Sequence, residues 1–239
     1  MNKPAKIIFL LFLSTFASHL RSFPVGIKLG FSASSFRYSN SVMEPYLGFD
    51  IDLRPYLGYD IKWVQLGAQK PLLAPAFSCF YDYEFADRFF LRPEVGITQK
   101  GVVFNQYDYE RIIYEVKITY VRFPLTFGYQ LINKDHFILD LYTGGAGALK
   151  LDAYKKVGYH NSPAKRHTLD NVGDYDFSVL AGFDIKWQFK NQYFIFDVQS
   201  CFGLTDIFHP IENQAQLYHQ TKKIKNTGFF LSLGYEFTR

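Results

Sequence analysis

The chain has 239 residues, of which 48% are hydrophobic and 19% are aromatic, with 26 Lys and Arg against 22 Asp and Glu. Such an aromatic content excludes a disordered chain and a coiled coil, and a net charge of +4 gives no indication of a nucleic-acid partner. A mean hydropathy of −0.08 excludes a bundle of membrane helices. It still allows a membrane β-barrel, because barrel strands are apolar on one face only.

Residues 1–17 have the organisation of a secretory signal peptide. Two lysines precede an apolar run at residues 7–13, and Thr15 and Ala17 are small residues at the −3 and −1 positions of a cleavage site. The run is too short for a transmembrane helix, which needs about 20 residues. We therefore predict export, and a mature chain of residues 18–239 that forms a single domain.

After this segment, apolar and polar residues alternate with a period of two, which indicates β-strands. Along the chain the alternation predicts eight strands, at about residues 24–37, 71–83, 88–101, 114–130, 136–149, 175–189, 192–203 and 227–238. Many of them exceed the 5–6 residues of a typical globular strand. They reach or exceed the 9–11 residues of a tilted strand that crosses a bilayer.

The connections between these strands alternate between short and long. Short ones lie near residues 83–87, 131–135 and 190–191, and long ones near 38–70, 102–113, 150–174 and 204–226. Short periplasmic turns and long extracellular loops are typical of outer-membrane barrels. The sequence therefore predicts an all-β protein, an eight-stranded antiparallel transmembrane β-barrel of up-and-down topology with both termini on the periplasmic side.

The predicted inner face of this barrel carries many charges, at Lys28, Arg92, Glu94, Arg122, Asp140, Asp184, Lys186, Asp197 and Glu236. A soluble core would pay a severe desolvation cost for them, whereas a hydrated barrel interior surrounded by lipid would not. We predict two structural ion pairs there, Glu94 with Arg122 at mid-depth and Lys28 with Glu236 near the periplasmic rim. A soluble secreted β-barrel that binds an apolar ligand is the alternative, and membrane fractionation would distinguish it.

Four segments contain motifs in a characteristic order. Residues 91–101 contain Pro93-Glu94 and Lys100-Gly101, residues 120–125 read Tyr-Val-Arg-Phe-Pro-Leu, and a Gly-rich segment at 144–147 and the terminal strand at 233–237 follow. The first two resemble the P-E-L…K-G and Y-x-x-I-P-L strands of the PorT-like outer-membrane β-barrel proteins of Bacteroidetes-type bacteria, and the other two also fit that family. The resemblance implies the barrel fold and an outer-membrane location. The family contains a type IX secretion component, so a secretion-associated role follows from the resemblance as a hypothesis.

A near-repeat in the first long loop has no counterpart in that family. Residues 45–51 and 55–61 read Pro-Tyr-Leu-Gly-Phe-Asp-Ile and Pro-Tyr-Leu-Gly-Tyr-Asp-Ile, ten residues apart. They fit either a hairpin above the membrane or additional strand length. The two cysteines, Cys79 and Cys201, each lie within a predicted strand and are expected to be unpaired.

No motif in the sequence indicates catalysis, a cofactor or a metal site. The chain contains no nucleophile motif of the GxSxG type, no phosphate-binding loop and no CxxC or HExxH. An outer-membrane lipid-modifying enzyme of the lipid A acyl hydrolase type is the enzymatic alternative. Such an enzyme needs Ser and His together at the membrane surface, but His136, the His at a strand edge, lies on the periplasmic side.

The long loops are the remaining candidates for function. The third contains a basic set, Lys155, Lys156, Lys165 and Arg166, which could hold lipopolysaccharide phosphates; an ordinary solvated loop is the alternative. We therefore expect a non-enzymatic barrel without metal or cofactor, with a structural or ligand-binding role through its extracellular loops. Its expected partners are outer-membrane lipid, lipopolysaccharide and another envelope protein.

Overall fold

The computed structural model describes residues 24–38, 69–106, 112–134, 136–159, 162–208 and 224–237. They form ten strands, β1 (Val25–Tyr38), β2 (Gln69–Tyr81), β3 (Tyr83–Ala86), β4 (Phe89–Gln106), β5 (Ile112–Lys134), β6 (Phe137–Tyr159), β7 (Ser162–Thr168), β8 (Tyr175–Phe189), β9 (Gln192–Gly203) and β10 (Ile224–Phe237). The predicted signal peptide and the 45–61 near-repeat lie outside the described residues. Within those residues, no helix is long and apolar enough to cross a membrane.

Eight of these strands form a closed antiparallel barrel. Their order is β2-β1-β10-β9-β8-β6-β5-β4, and β4 pairs with β2 to close the wall. The two short strands are additions, because β3 forms a hairpin with β4 at the periplasmic end and β7 pairs with the extracellular part of β6. The predicted fold and its eight strands are therefore confirmed.

The third long loop differs from the prediction. Residues 150–174 were expected to be a loop. Instead, β6 continues to Tyr159, and the chain then turns back as β7. The pairing of β5 with β6 shifts by one residue between Thr119 and Tyr120, which face Asp152 and Lys150. A bulge of this kind moves every later side chain to the other face. The polar alternation beyond Lys150 consequently loses its phase and looks like a loop in the sequence.

The outer surface carries a continuous apolar belt. Leu29, Phe31, Leu73 and Leu233 are each 60–73% exposed and point away from the barrel interior. At the periplasmic end, β3, β4 and β5 add a cluster of aromatic rings, Tyr83, Phe85, Phe89, Phe127 and Tyr129, with centroids 5.0–6.4 Å apart. Such a belt with aromatic rings at its edge is the surface that a bilayer covers.

The two cysteines lie on opposite sides of the wall. Cys201 is buried in the interior, and Cys79 follows Phe77 on the lipid-facing side of β2. Neither is bonded to another cysteine, which confirms that both are unpaired.

An apolar core lies at the extracellular end of the interior, although a hydrated polar interior was expected. Buried side chains from the strand ends and from residues 169–172 and 207–208 form one cluster, Phe36, Val102, Val116, Ile118, Tyr120, Ala148, Ala153, Leu169, Val172, Ile207 and Ile224, with Phe208 packed against it. Backbone hydrogen bonds fix both connecting segments, since Gly173 donates to Ile207 and Ile207 donates to Ile224. This upper core closes the extracellular end of the barrel.

Candidate functional site

Arg92 is the centre of the charged layer inside the barrel. It comes from β4, is 2% exposed, and donates from Nε and Nη2 to the two carboxylate oxygens of Asp82 at 2.5 and 2.7 Å. Its Nη1 donates to Asp184 on β8, across the interior. Bidentate pairing of this kind fixes the guanidinium plane. Arg92 therefore ties the wall formed by β2 and β4 to the wall formed by β8.

Two phenylalanine–glycine pairs make room for this arginine. The rings of Phe80 and Phe90 each lie 4.9 Å from its guanidinium carbon. Phe80 stands opposite Gly26 in β1, and Phe90 stands opposite Gly128 in β5. A Cβ atom on either glycine would come within 2.1 Å of the facing ring. The absence of a side chain at these glycines is what lets both rings lie against the barrel wall.

Lys186 extends the same layer to further carboxylates. Its Nζ lies 2.7 Å from Asp82, 3.0 Å from Glu236 and 3.5 Å from Asp140. Each of these side chains is at most 4% exposed. Since a buried charge is tolerated only when it is paired, Lys186 and Arg92 stabilise this layer. They supply two positive charges to four carboxylates, those of Asp82, Asp140, Asp184 and Glu236.

Both predicted ion pairs are wrong, although all four residues lie inside the barrel. Lys28 contacts Glu94 at 3.3 Å and Asp197 at 3.4 Å, while Glu236 pairs with Lys186. Arg122 donates to Gln199 at 2.5 Å and lies over the Phe230 ring.

Register explains these exchanges. Arg122 stands opposite Gly96 rather than Glu94, and Lys28 stands opposite Gly234 rather than Glu236. Each predicted partner is therefore one inward-facing position away along its strand. Lys28, Glu94 and Glu236 instead find counter-ions on strands that are not their neighbours in the wall. Arg122 has the neutral partner Gln199.

The interior above this layer is also filled. Lys100 pairs with Asp176 at 2.8 Å, and Asp176 accepts further hydrogen bonds from Asn226 and Thr205. A cavity of about 20 Å³ lies beside Lys28 and Thr98, which is room for about one water molecule. The charged layer, these buried pairs and the apolar upper core above them fill the described interior at three levels.

All four predicted surface-ligand residues lie on the β6–β7 hairpin. Lys156 stands opposite Arg166, Lys155 opposite His167, and Lys165 opposite Val157. The pairing places all four residues at one end of the barrel, with Lys156 and Arg166 on one face of the hairpin and Lys155 and Lys165 on the other. Among the described residues no group of three His, Cys, Asp or Glu side chains is arranged to hold a metal ion.

An aromatic residue organises the cations on the outward face of this hairpin. The guanidinium carbon of Arg166 lies 3.9 Å from the centroid of the Tyr154 ring, and Lys117 of β5 lies 6.0 Å from it. Arg166 is also paired with Asp152, and Lys117 with Glu115 at 2.8 Å. Partial burial lowers the pKa of Lys117, but the hydrogen bond and the charge of Glu115 outweigh it, so the pKa is raised. Lys117 is therefore a permanent cation at neutral pH.

A closed, filled eight-stranded barrel with an apolar belt and a basic extracellular hairpin defines an outer-membrane β-barrel protein. The sequence model of the outer membrane protein beta-barrel domain matches residues 14–209. The chain belongs to this family, and its place is the outer membrane. A search of curated protein sequences finds no match.

Several solved structures are similar to this chain. The attachment invasion locus protein Ail of Yersinia pestis, in complex with the heparin analogue sucrose octasulfate, is 13% identical with a TM-score of 0.39, covering 90% of this chain and 99% of that chain. The outer membrane protein OprG of Pseudomonas aeruginosa is 11% identical with a TM-score of 0.46, covering 91% and 97%. The outer membrane protease OmpT of Escherichia coli is 10% identical with a TM-score of 0.45, covering 92% and 98%.

Proposed function

We propose that this protein is a non-enzymatic outer-membrane barrel that binds a surface ligand or partner through its extracellular β5–β6–β7 sheet. The observation that carries the proposal is the length of this sheet. β5 and β6 each contain 23 residues, about twice what a membrane crossing requires. The excess, with β7, forms a three-stranded sheet above the apolar belt. It presents basic and aromatic side chains, the types suited to adaptable interfaces.

The filled interior supports binding rather than transport. An eight-stranded barrel is just wide enough to be packed by side chains, and here the charged layer and the upper core occupy it. Export through a signal peptide at residues 1–17 is part of the proposal. The PorT-like resemblance of the strands around Pro93 and Tyr120 adds the hypothesis that the partner is another envelope protein, including one of a secretion apparatus.

A lipid-modifying enzyme is the second class of function. Lipid A mass spectrometry of a deletion strain distinguishes the two, since an acyl hydrolase changes lipid A acylation and a binding protein does not. A soluble secreted barrel is excluded, because the chain belongs to an outer-membrane family and carries its apolar side chains outward.

Shortening the hairpin tests the proposal without damaging the barrel. Leu169 and Ala153 belong to the upper core, so a deletion of residues 152–172 would remove part of it. Replacing residues 156–166 by Asn-Gly instead joins Lys155 to His167, which already face each other, through a tight two-residue turn. We expect a folded, heat-modifiable barrel that no longer retains the partners that the full-length protein retains in quantitative pull-downs from solubilised membranes.

The control for this experiment is the turn at Lys190 and Asn191, on the opposite end of the barrel. Replacing these two residues by Gly-Gly should leave the retained partners unchanged. Identical partners after removal of residues 156–166 would contradict the proposal that the hairpin is the binding surface.

A further inference from the structure

Two pairs of like charges face each other across neighbouring strands of the barrel wall. Arg37 of β1 stands directly opposite Lys225 of β10, and Lys156 of β6 stands directly opposite Arg166 of β7. Like charges in this position destabilise a sheet. An anion that binds between the two side chains removes that repulsion. In the second pair Asp152 already contacts Arg166, so Lys156 is the cation there that an external anion would pair with.

These cations lie just beyond the apolar belt and point outward. On β10, Lys225 shares its face with Phe229, Leu231 and Leu233, which are exposed. Phe229 is four residues away, about 13 Å along the strand and less along the barrel axis because strands are tilted. Arg37 follows Phe31 on the same face of β1, with its Nη2 donating to the Gly203 carbonyl. The pair consequently lies at the height of lipid headgroups.

The second pair has the same relation to the membrane. Leu149 and Leu151 are exposed apolar side chains on the outer wall of β6. Asp152, Tyr154 and Lys156 follow directly. Arg166 and Lys117 flank the Tyr154 ring. With Lys156 they make three cations, which exceed in number the two carboxylates that pair with them, Glu115 and Asp152.

The two pairs are separated by three of the eight strand-to-strand steps around the barrel. Between β10 and β6 the wall contains β9 and β8. Positive charge is therefore present at two places around the barrel, in each case beyond exposed apolar side chains of the outer wall. This is the distribution expected for binding a lipid leaflet that surrounds the protein, rather than a soluble partner that approaches one loop.

We propose that Arg37, Lys225, Lys117, Lys156 and Arg166, here called the outer basic rim, bind phosphate groups of the phosphorylated glycolipid in the outer leaflet. The inference rests on the proposed function and names one ligand for it. Arginine forms paired hydrogen bonds with phosphate oxygens, and lysine adds a point charge. The side chains extend sideways from the wall, so the headgroups of adjacent lipids are the anions within reach.

Lipid retention by the purified protein tests this proposal. The detergent-solubilised protein is incubated with equal amounts of phosphorylated and dephosphorylated lipid A, and native mass spectrometry measures the bound amounts. We expect the phosphorylated form to be preferred. The double variants R37Q/K225Q and K156Q/R166Q should each lower its retention by roughly tenfold or more, since one cation near an anionic lipid surface contributes about fivefold.

The control variant K134Q/K190Q removes the same charge from exposed positions near the periplasmic turns, and should retain phosphorylated lipid A like the unmodified protein. Equal retention of both lipids, unchanged retention by the two rim variants, or an equal loss in the control would each overturn the proposal. If free inorganic phosphate displaced phosphorylated lipid A at a concentration similar to that of the lipid, the proposal would also be overturned, because the rim would then be a site for simple anions. Heat modifiability confirms that each variant is folded.

The two proposals fail in different ways. R37Q/K225Q leaves the β6–β7 hairpin intact, so lipid retention that is unaffected by this variant refutes the rim while the hairpin remains a binding surface. Partner binding that survives removal of residues 156–166 refutes the proposed function, whatever the lipid result.

Discussion

Replacing Arg92 by alanine is expected to lower the free energy of unfolding by about 3–5 kcal/mol, the cost of removing one partner from a buried ion pair. The variant leaves Asp82 and Asp184 buried without the guanidinium that both contact. It also removes the group that lies between the Phe80 and Phe90 rings. Urea unfolding in phospholipid vesicles, followed by tryptophan fluorescence, measures the effect.

Arg88 provides the matched control. It is an exposed arginine in the periplasmic turn before β4, and its backbone carbonyl, rather than its side chain, accepts a hydrogen bond from Gln130. Arg88→Ala should therefore change stability by less than about 0.5 kcal/mol. Similar effects of the two substitutions would show that the interior charges are solvated rather than packed.

Replacing Leu233 by arginine is expected to destabilise the membrane-inserted barrel by about 2–4 kcal/mol. Leu233 is 68% exposed and lies at the middle of the apolar face of β10, so the charge would enter the centre of the bilayer. The equilibrium between folded and unfolded protein in vesicles, measured by urea titration, gives the cost.

Depth supplies the control for this substitution. Phe237 lies on the same face of β10 at its periplasmic end, and an arginine there should cost about 0–1 kcal/mol because it reaches the interface. A cost at Phe237 equal to that at Leu233 would contradict the assigned membrane position. Ser232 on the inner face is not a permissive site, since it lies in the packed interior and donates to Asp197 at 2.9 Å.

The strands were predictable because period two is a local property. One face of each strand contacts lipid and the other contacts the interior, so residues such as Leu231 and Ser232 reveal their orientation within a few positions. The bulge at Lys150–Asp152 breaks the period of two, and the residues that follow it were therefore predicted to form a loop. The same alternation could have placed Asp82 inside the barrel, because it lies four residues after the buried Ser78. Asp82 was overlooked because it follows the last residue of β2.

The ion pairs were not predictable because they depend on barrel closure. A charge inside an eight-stranded barrel can reach strands that are not its neighbours, as Arg92 of β4 reaches Asp184 of β8. The sequence shows which strands are neighbours in the wall, so the ion pairs were predicted only between neighbouring strands. The apolar upper core was missed for a related reason, since Leu169 and Ile207 come from connections that looked like ordinary loops.

The basic residues of the third loop were identified from composition, but their arrangement required the hairpin. Only its register shows that Lys156 faces Arg166 and that Tyr154 lies between Arg166 and Lys117. The pairing of Arg37 with Lys225 was not predicted, because the two positions are 188 residues apart in sequence and become neighbours when β1 pairs with β10. Barrel closure again supplies the information that the sequence lacks.

Single-channel recording of the purified full-length protein in planar lipid bilayers tests the central claim most directly, which is that the barrel is filled and acts by binding. The charged layer around Arg92 and Lys186 and the upper core around Ile118 and Leu169 occupy its interior. We predict no steady open level above the baseline of the bilayer. A steady large conductance from protein shown to be folded by heat modifiability would contradict this account.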